Sequence, residues 1–213
     1  MSITKAREQV VKELHKPARL RFKRRRFIQH GLDDTSVSDL AQLDQYASEI
    51  KCFKLILVVI YGFSKFRWTK SLKSTTGLEI TKAMIALFKQ FKKNPKYIVT
   101  DHGNEYYIYS FQNLMKPHGI NHYSTFSILK ASIAERVIRT IKEKLFRLFT
   151  LNGNHKWVDL LDQVTNTYNN TKHRFIGMKP KYGNKSNEQD ILKSVYSHLE
   201  IVGSQNFKVG DIV

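Results

Sequence analysis

The sequence predicts an α/β fold in which helices flank a mixed β-sheet, and three features of the chain support this prediction. The first is the run "FKLILVVIYGF" (53–63), whose apolar and β-branched residues are typical of a buried strand. The second is the alternation that follows, in which helical patterns and short apolar strands take turns along the chain. The third is the length of 213 residues, which is enough for one domain with a substantial core and attached segments.

Hydrophobic spacing assigns the elements in chain order. The stretch 64–73 alternates enough to form a strand antiparallel to 53–63, after a tight turn around Gly62. Downstream, the spacing predicts a helix over 76–93, a strand over 96–101, a helix over 105–119, a strand over 120–125, and helices over 131–150 and 155–169. Upstream, the segment 36–44 lacks clean alternation, so its strand character is weak.

The charge balance predicts a polyanionic partner. The chain carries 36 Lys and Arg against 18 Asp and Glu, a formal net charge of +18. Stability does not require this imbalance, because self-repulsion opposes a compact state, and nucleic acid is the commonest partner of such a chain. A membrane partner is not expected, since the longest apolar run, 55–60, is too short to cross a bilayer.

A single cysteine, Cys52, allows no intrachain disulfide and excludes a zinc finger built on paired cysteines. A reducing compartment, the cytosol or the nucleus, fits this cysteine usage.

Composition divides the chain into three parts: a basic N-terminal arm (1–30), a globular core (31–185) and a C-terminal tail (186–213). Within the arm, "KPARLRFKRRR" (16–26) places seven Lys or Arg in eleven positions. This run fits a solvated linker, and it equally fits a phosphate-binding arm or a nuclear import signal.

Asp101 is the first candidate functional acid, because it ends the predicted strand 96–101 and precedes His102 and Gly103. α/β proteins commonly place ligands where a strand leaves the sheet. The alternative is a turn-capping role, since Asp shortly before Gly is common in turns.

Glu135 is the second candidate, and it also has a structural interpretation. Ser132 and Glu135 have the spacing of a capping box, and Glu135 and Arg139 have the spacing of a helical ion pair. At about 100° per residue, however, Arg139 and Lys142 share the face of Glu135, opposite the apolar stripe. That predicted stripe consists of Ile133, Val137, Ile141, Leu145 and Leu148. An acid flanked by cations suits metal-assisted phosphate chemistry, and it also suits a solvated helix face.

Asp39 is the third candidate, and spacing alone does not select it over its neighbours. Those rivals are Asp33, Asp34 and Asp44. An acid in the first strand, an acid ending a later strand and a glutamate 34 residues further on, in a long helix, form the pattern of a two-metal phosphoryl-transfer site. Such a site needs several carboxylate oxygens converging at one sheet edge.

Several motifs resemble the catalytic core of retroviral-type integrases, and more closely the integrases of Maverick or Polinton transposons and proteins derived from them. The resemblance covers roughly residues 13–200 and is carried by "TDHGNEYY", "GINHYSTFSILKASIAERVIRTIKEKLFRLFT" and "YNNTKHRFIGMKP". It implies an RNase H-like fold with a mixed five-stranded sheet. It also implies a catalytic, metal-binding triad of Asp39, Asp101 and Glu135, with two Mg²⁺ or Mn²⁺ ions.

The resemblance further implies DNA partners, namely transposon ends and target DNA, together with a homo-oligomer and a nuclear location. The expected DNA-binding residues are Lys130, Arg139, Lys142, Arg24, Arg25 and Arg26. The segment "NFKVGDIV" (206–213) is expected to start a small SH3-like barrel that is cut short.

This sequence departs from the family pattern around the first strand. Ser36 and Val37 replace the usual Trp-Gln, Gln42 replaces an acidic residue, and Tyr61 replaces an aspartate. None of these positions belongs to the triad. Two functions therefore remain open: an active integrase, or an inactive transposon-derived protein that keeps the fold to bind DNA or another partner.

Overall fold

Five strands form one mixed sheet with β1 at its centre. The computed structural model describes residue 29 and residues 31–91, 94–124 and 128–196. The strands are β1 (Thr35–Gln42), β2 (Leu55–Tyr61), β3 (Arg67–Leu72), β4 (Tyr97–Thr100) and β5 (Asn121–Ser124). They lie in the order β3-β2-β1-β4-β5. β1 pairs antiparallel with β2 and parallel with β4, β3 continues the antiparallel side, and β5 continues the parallel side.

Helices cover both faces of this sheet. They are α1 (Gly77–Phe88), α2 (Tyr109–Met115), α3 (Ile128–Asn152), α4 (Trp157–Asn170) and α5 (Glu188–Tyr196). Within the described part of the chain, no helix combines the length and apolar character needed to cross a membrane.

The side chains of β2 alternate between two buried faces of the sheet, which explains why its sequence is apolar throughout. Ile56, Val58 and Ile60 pack with α3 and α4 on one face, in a core that includes Trp157. The intervening residues of β2 pack with α1 and α2 on the other face. A strand buried on both faces needs apolar side chains at every position, because successive side chains point to opposite sides.

Most predicted elements are confirmed, and the differences lie at their ends. The weak segment 36–44 forms β1, the central strand. The helix predicted over 105–119 is wrong at its start: Asn104–Tyr106 form a 3-10 turn, and the α-helix begins only at Tyr109. The helix predicted over 131–150 begins earlier, at Ile128. Ser132 is therefore inside α3 rather than at its N-cap, and the capping-box interpretation of Glu135 is wrong.

The chain after α4 folds back onto the body. Phe63, in the turn between β2 and β3, is buried with Ile176 from the segment that follows α4. Ile191 and Val195 of α5 complete this third apolar cluster together with Leu32. The segment 206–213 and the basic run 16–26 lie outside the described residues.

Arg67 is an unusual member of the core between β3 and α4. Its side chain is fully buried, with the guanidinium 3.7 Å from the Tyr168 ring centroid and one amine donating to the Val164 carbonyl at 3.3 Å. Its Nε and second amine have no hydrogen-bond partner within the described structure. Burial lowers the pKa of Arg67 to about 10. An incompletely bonded buried cation opposes folding.

We therefore expect Arg67→Met to raise the free energy of unfolding by about 1 kcal/mol, because it removes this desolvated charge and keeps the volume. The neighbouring Asn169→Ala should instead lower it by about 2 kcal/mol. Asn169 is buried and bonds both the backbone N–H and the carbonyl of Arg67, at 3.1 and 2.9 Å. Urea unfolding of both variants checks the contrast, and a loss of stability in Arg67→Met contradicts it.

Candidate carboxylate site

The parallel pairing of β1 and β4 places Asp39 and Asp101 at the same level of the sheet. The register pairs Val37 with Val99, and each aspartate follows two residues later on its own strand. Side chains two residues apart point to the same face of a strand, and neighbouring strands lie about 4.8 Å apart. Val37 faces α3 in the core, so both aspartates project toward the α3 side of the sheet.

Glu135 approaches the same region from α3. Its neighbours Ala134 and Val137 are buried against the sheet, whereas Glu135 itself is exposed. The helix begins seven residues before Glu135, at Ile128, so the backbone around Glu135 is regular helix. The core stripe predicted for this helix is confirmed at Val137, Ile141 and Leu145, all of which are buried.

Electrostatics connects the three carboxylates. Burial raises the pKa of Asp39 to about 6, the Leu40 N–H lowers it, and the charges of Asp101 and Glu135 raise it further. That N–H donates to Asp39 Oδ1 at 2.7 Å. Asp39 therefore lies close enough to both other acids to be repelled by them. No nearby cation is among the causes that set its pKa.

Asp101 caps a turn and also keeps an oxygen available for a ligand, so the turn-capping and the ligand-binding interpretations are compatible. The Gly103 N–H donates to Asp101 Oδ1 at 3.3 Å, so the side chain does cap the turn after β4. The second carboxylate oxygen is left for another partner, because a carboxylate accepts several hydrogen bonds or binds a cation while one oxygen is occupied.

The donor chemistry of this site fits a hard divalent cation. Mg²⁺ and Mn²⁺ prefer carboxylate oxygens, and a cation would offset the repulsion that raises the pKa of Asp39. Among the described residues, however, no three His, Cys, Asp or Glu side chains are grouped closely enough to hold one ion. Metal binding by these acids therefore requires their side chains to draw together.

The expected DNA-binding cations divide into those near the site and those outside the described structure. Arg139 is exposed and Lys142 is half-buried, on the helix that carries Glu135. Arg139 pairs with Glu143, with Nε 3.7 Å from Oε1. The backbone of Lys130 lies in α3, although its side chain is outside the described set, as are Arg24, Arg25 and Arg26.

Sequence reasoning based on acids missed a polar chain beside Asp101. Ser124, the last residue of β5, lies 2.7 Å from His102 Nδ1 and accepts a hydrogen bond from the Tyr107 hydroxyl. The rule that pointed to Asp101 applies equally here, because β5 is parallel to β4 and ends at the same sheet edge. Beneath them lies Tyr106, fully buried, whose pKa is raised by burial.

An open cavity of about 410 Å³ lies elsewhere, at the C-terminal end of α3. It is lined by Tyr46, Phe146, Phe149, Thr150, Gly153 and His155. None of these residues belongs to the carboxylate site.

Solved structures define the fold class. The HTLV-2 integrase catalytic core domain, in complex with magnesium, matches with a TM-score of 0.60 and 18% identity, over 71% of this chain and 95% of that chain. A simian T-cell lymphotropic virus intasome matches with a TM-score of 0.66 and 19% identity, over 78% of this chain and 59% of that chain. The catalytic core domain of BIV integrase matches with a TM-score of 0.57 and 15% identity, over 78% of this chain and 97% of that chain. The chain has the RNase H-like fold of integrase catalytic cores, and the predicted fold class is confirmed.

One sequence relative is described as transposon-derived. This protein of Caenorhabditis elegans is 34% identical over 173 residues, which are 80% of this chain and 58% of that protein. The chain thus spans little more than half the length of that relative. No protein-family profile matches the chain.

The raised pKa of Asp39 generates a pH prediction. Between about pH 4 and 6 the folded state binds more protons than the unfolded state, so ionisation of Asp39 lowers stability as the pH rises. In the presence of EDTA, Asp39→Asn should raise the free energy of unfolding by about 2 kcal/mol at pH 7 and leave it nearly unchanged at pH 4. Denaturation at both pH values measures this difference, and a gain that is the same at pH 4 and 7 contradicts it.

Proposed function

We propose that this chain is a transposon-type integrase core that binds DNA and catalyses phosphoryl transfer, in the form of 3′-end processing and DNA strand transfer. The observation that carries the proposal is that the parallel pairing of β1 and β4 brings Asp39 and Asp101 to one sheet edge of an integrase-type fold, where the charges of Asp101 and Glu135 both act on Asp39. The transposon-derived relative supports the mobile-element setting. A kinship with Maverick or Polinton integrases is part of the proposal and rests on the sequence motifs.

Asp39, Asp101 and Glu135 would hold two Mg²⁺ or Mn²⁺ ions. When bound, such ions activate the attacking oxygen and stabilise the leaving oxygen of the phosphodiester. Asp39 must be ionised to act as a ligand, and its raised pKa makes ionisation less favourable in the free site. The Gly103 N–H fixes one oxygen of Asp101, which orients the other. Glu135, on an exposed helix face, supplies the third carboxylate.

The DNA partners would be transposon ends and target DNA, with the phosphate backbone contacted by cations. In this proposal Arg139, Lys142 and Lys130 lie along α3 beside Glu135, and Arg24, Arg25 and Arg26 extend the contact from the N-terminal arm. Binding should therefore weaken steeply with salt. The proposal includes assembly as a homo-oligomer and action in the nucleus, where the DNA substrate lies.

A second candidate function has one observation in its favour. The three carboxylates are not grouped closely enough to hold a single ion among the described residues. A transposon-derived protein that had lost turnover and retained the fold for DNA or partner binding would fit this spacing. Metal binding and activity separate the two functions.

Divalent metal should stabilise the fold through the three carboxylates. Mg²⁺ or Mn²⁺ at about 100 times its Kd should raise the free energy of unfolding by about 2.7 kcal/mol. Asp39→Asn should abolish this gain, whereas Asp44→Asn, which changes an exposed acid just beyond β1, should retain it. Equal metal stabilisation of both variants in thermal unfolding would assign the ion to another site.

Strand transfer tests the reaction itself. With pre-cleaved DNA and Mg²⁺ or Mn²⁺, wild type should join the 3′-hydroxyl end to a second duplex. Glu135→Gln should lower the rate about 100-fold or more, because it removes one of the three carboxylates that would hold the catalytic ions. Asp162→Asn, which changes an exposed acid on α4, serves as the control. Wild-type product no greater than that of Glu135→Gln rejects the enzyme and favours the binding protein.

A further inference from the structure

The segment between α4 and α5 carries a concentration of positive charge that the carboxylate site does not use. This segment, residues 172–185, is called the 172–185 loop below. It contains five exposed cations: Lys172, Arg174, Lys179, Lys181 and Lys185. No Asp or Glu occurs anywhere between Gln163 and Asn187. The loop therefore has no acidic residue of its own to offset its charge.

The 172–185 loop is anchored to the body. Ile176 and Pro180 are buried, and a side-chain carbon placed on Gly183 would lie only 2.6 Å from Ser64 Cβ, in the turn between β2 and β3. Inside the loop, the His173 N–H donates to the Met178 carbonyl at 2.8 Å. These contacts hold the backbone that carries the cations in place, which lowers the entropy cost of binding a partner.

One further cation, Lys65, extends the positive surface inward, and its neighbour His173 is uncharged near neutral pH because its pKa is low. Burial lowers the pKa of Lys65 to about 8, and its ammonium lies 4.9 Å from the centroid of the Phe175 ring. Burial, followed by the charges of Lys65 and Arg136, lowers the pKa of His173 to about 4. Among the described residues, none of these cations forms an ion pair with a carboxylate. A cluster of this kind is suited to bind an anion.

Aromatic rings are interleaved with the cations. Phe175 is 49% exposed and Tyr182 is 52% exposed, although aromatic rings of this size usually stabilise a fold by being buried in its core. The Tyr182 ring centroid is 5.0 Å from Lys181 Nζ and 5.9 Å from Lys179 Nζ. Exposed rings among phosphate-binding cations are the combination that binds single-stranded nucleic acid, because unpaired bases stack on the rings.

The position of the loop relates it to the carboxylate site. His173 lies within the electrostatic reach of Arg136, and Arg136 directly follows Glu135 on α3. The loop is therefore on the same side of the molecule as the N-terminal half of that helix.

We propose that the 172–185 loop binds an unpaired DNA strand, with its cations on the phosphates and with Phe175 and Tyr182 stacked on bases. This inference rests on the proposed function for its DNA substrate, and it adds a strand-holding surface that distinguishes unpaired from duplex DNA. Duplex DNA offers the loop phosphates and no exposed base faces, so the rings would contribute little to its binding.

The experiment measures DNA binding in the absence of chemistry. The full chain carrying Glu135→Gln is titrated in EDTA against a fluorescent single strand and the matching duplex, at several salt concentrations. Phe175→Leu and Tyr182→Leu together test the rings, and Phe146→Leu, a 40% exposed ring on α3, is the control. Lys172→Gln with Lys181→Gln tests the charges, and Lys54→Gln with Lys116→Gln, both exposed and outside the loop, is the control.

Loss of the two rings should weaken single-strand binding about tenfold or more and leave duplex binding within about twofold. Loss of the two lysines should reduce the single-strand salt slope by about 1.4. Both control variants should match the parent. Equal ring effects on the two DNAs, or loop variants that bind like their controls, overturn the loop proposal and leave the integrase proposal standing. A parent chain without affinity for either DNA overturns both.

Discussion

The parallel pairing of β1 with β4 is the constraint on which the candidate site depends. Antiparallel β2 and β3 form a hairpin that any short turn can close, whereas a parallel pair needs a long crossover that covers the sheet. α1 provides that cover, and the return of the chain through β4 brings Asp101 level with Asp39. A shift of one residue in this pairing would turn one aspartate to the opposite face, because side chains alternate along a strand. The packing of Val37 against α3 opposes such a shift.

The same pairing creates an electrostatic conflict that the fold tolerates. Asp39 is half-buried between the apolar residues Val37 and Ala41 and is repelled by two other acids. Only the Leu40 N–H lowers its pKa. Fixed negative charge in a partly desolvated position opposes folding, and it attracts a cation for the same physical reason. A site of this kind exchanges stability in the free protein for affinity toward a divalent ion or another positive group.

The sequence predicted the order of the elements, and the misses have physical causes. β1 was weak by spacing because its first half is Thr35, Ser36, Val37 and Ser38, all of them buried. Small hydroxyl side chains fit a central strand sterically, whereas a hydrophobicity pattern counts them as polar. The N-terminus of α3 was misjudged because Ser132 and Glu135 imitate a capping box, and local spacing cannot reveal that the helix extends four residues further. Asp39 and Asp101 lie at the same height in the sheet because of the register between β1 and β4. That register is set by the pairing of the two strands in the folded chain, so spacing along the sequence does not reveal it.

The chain after α4 is polar, and three apolar residues anchor it to the body: Ile176, Ile191 and Val195. Ile191 and Val195 have helical spacing within α5, whereas Ile176 stands alone in the 172–185 loop, where no periodic pattern reveals its burial. Burial of Ile176 holds the loop that carries the cations against the body, so the folded chain concentrates positive charge at the 172–185 loop. Like charges brought together raise the free energy of the folded state, and this cost is relieved when an anion binds. Binding of a polyanion should therefore stabilise the folded chain, which links the +18 charge to the packing of Ile176, Ile191 and Val195.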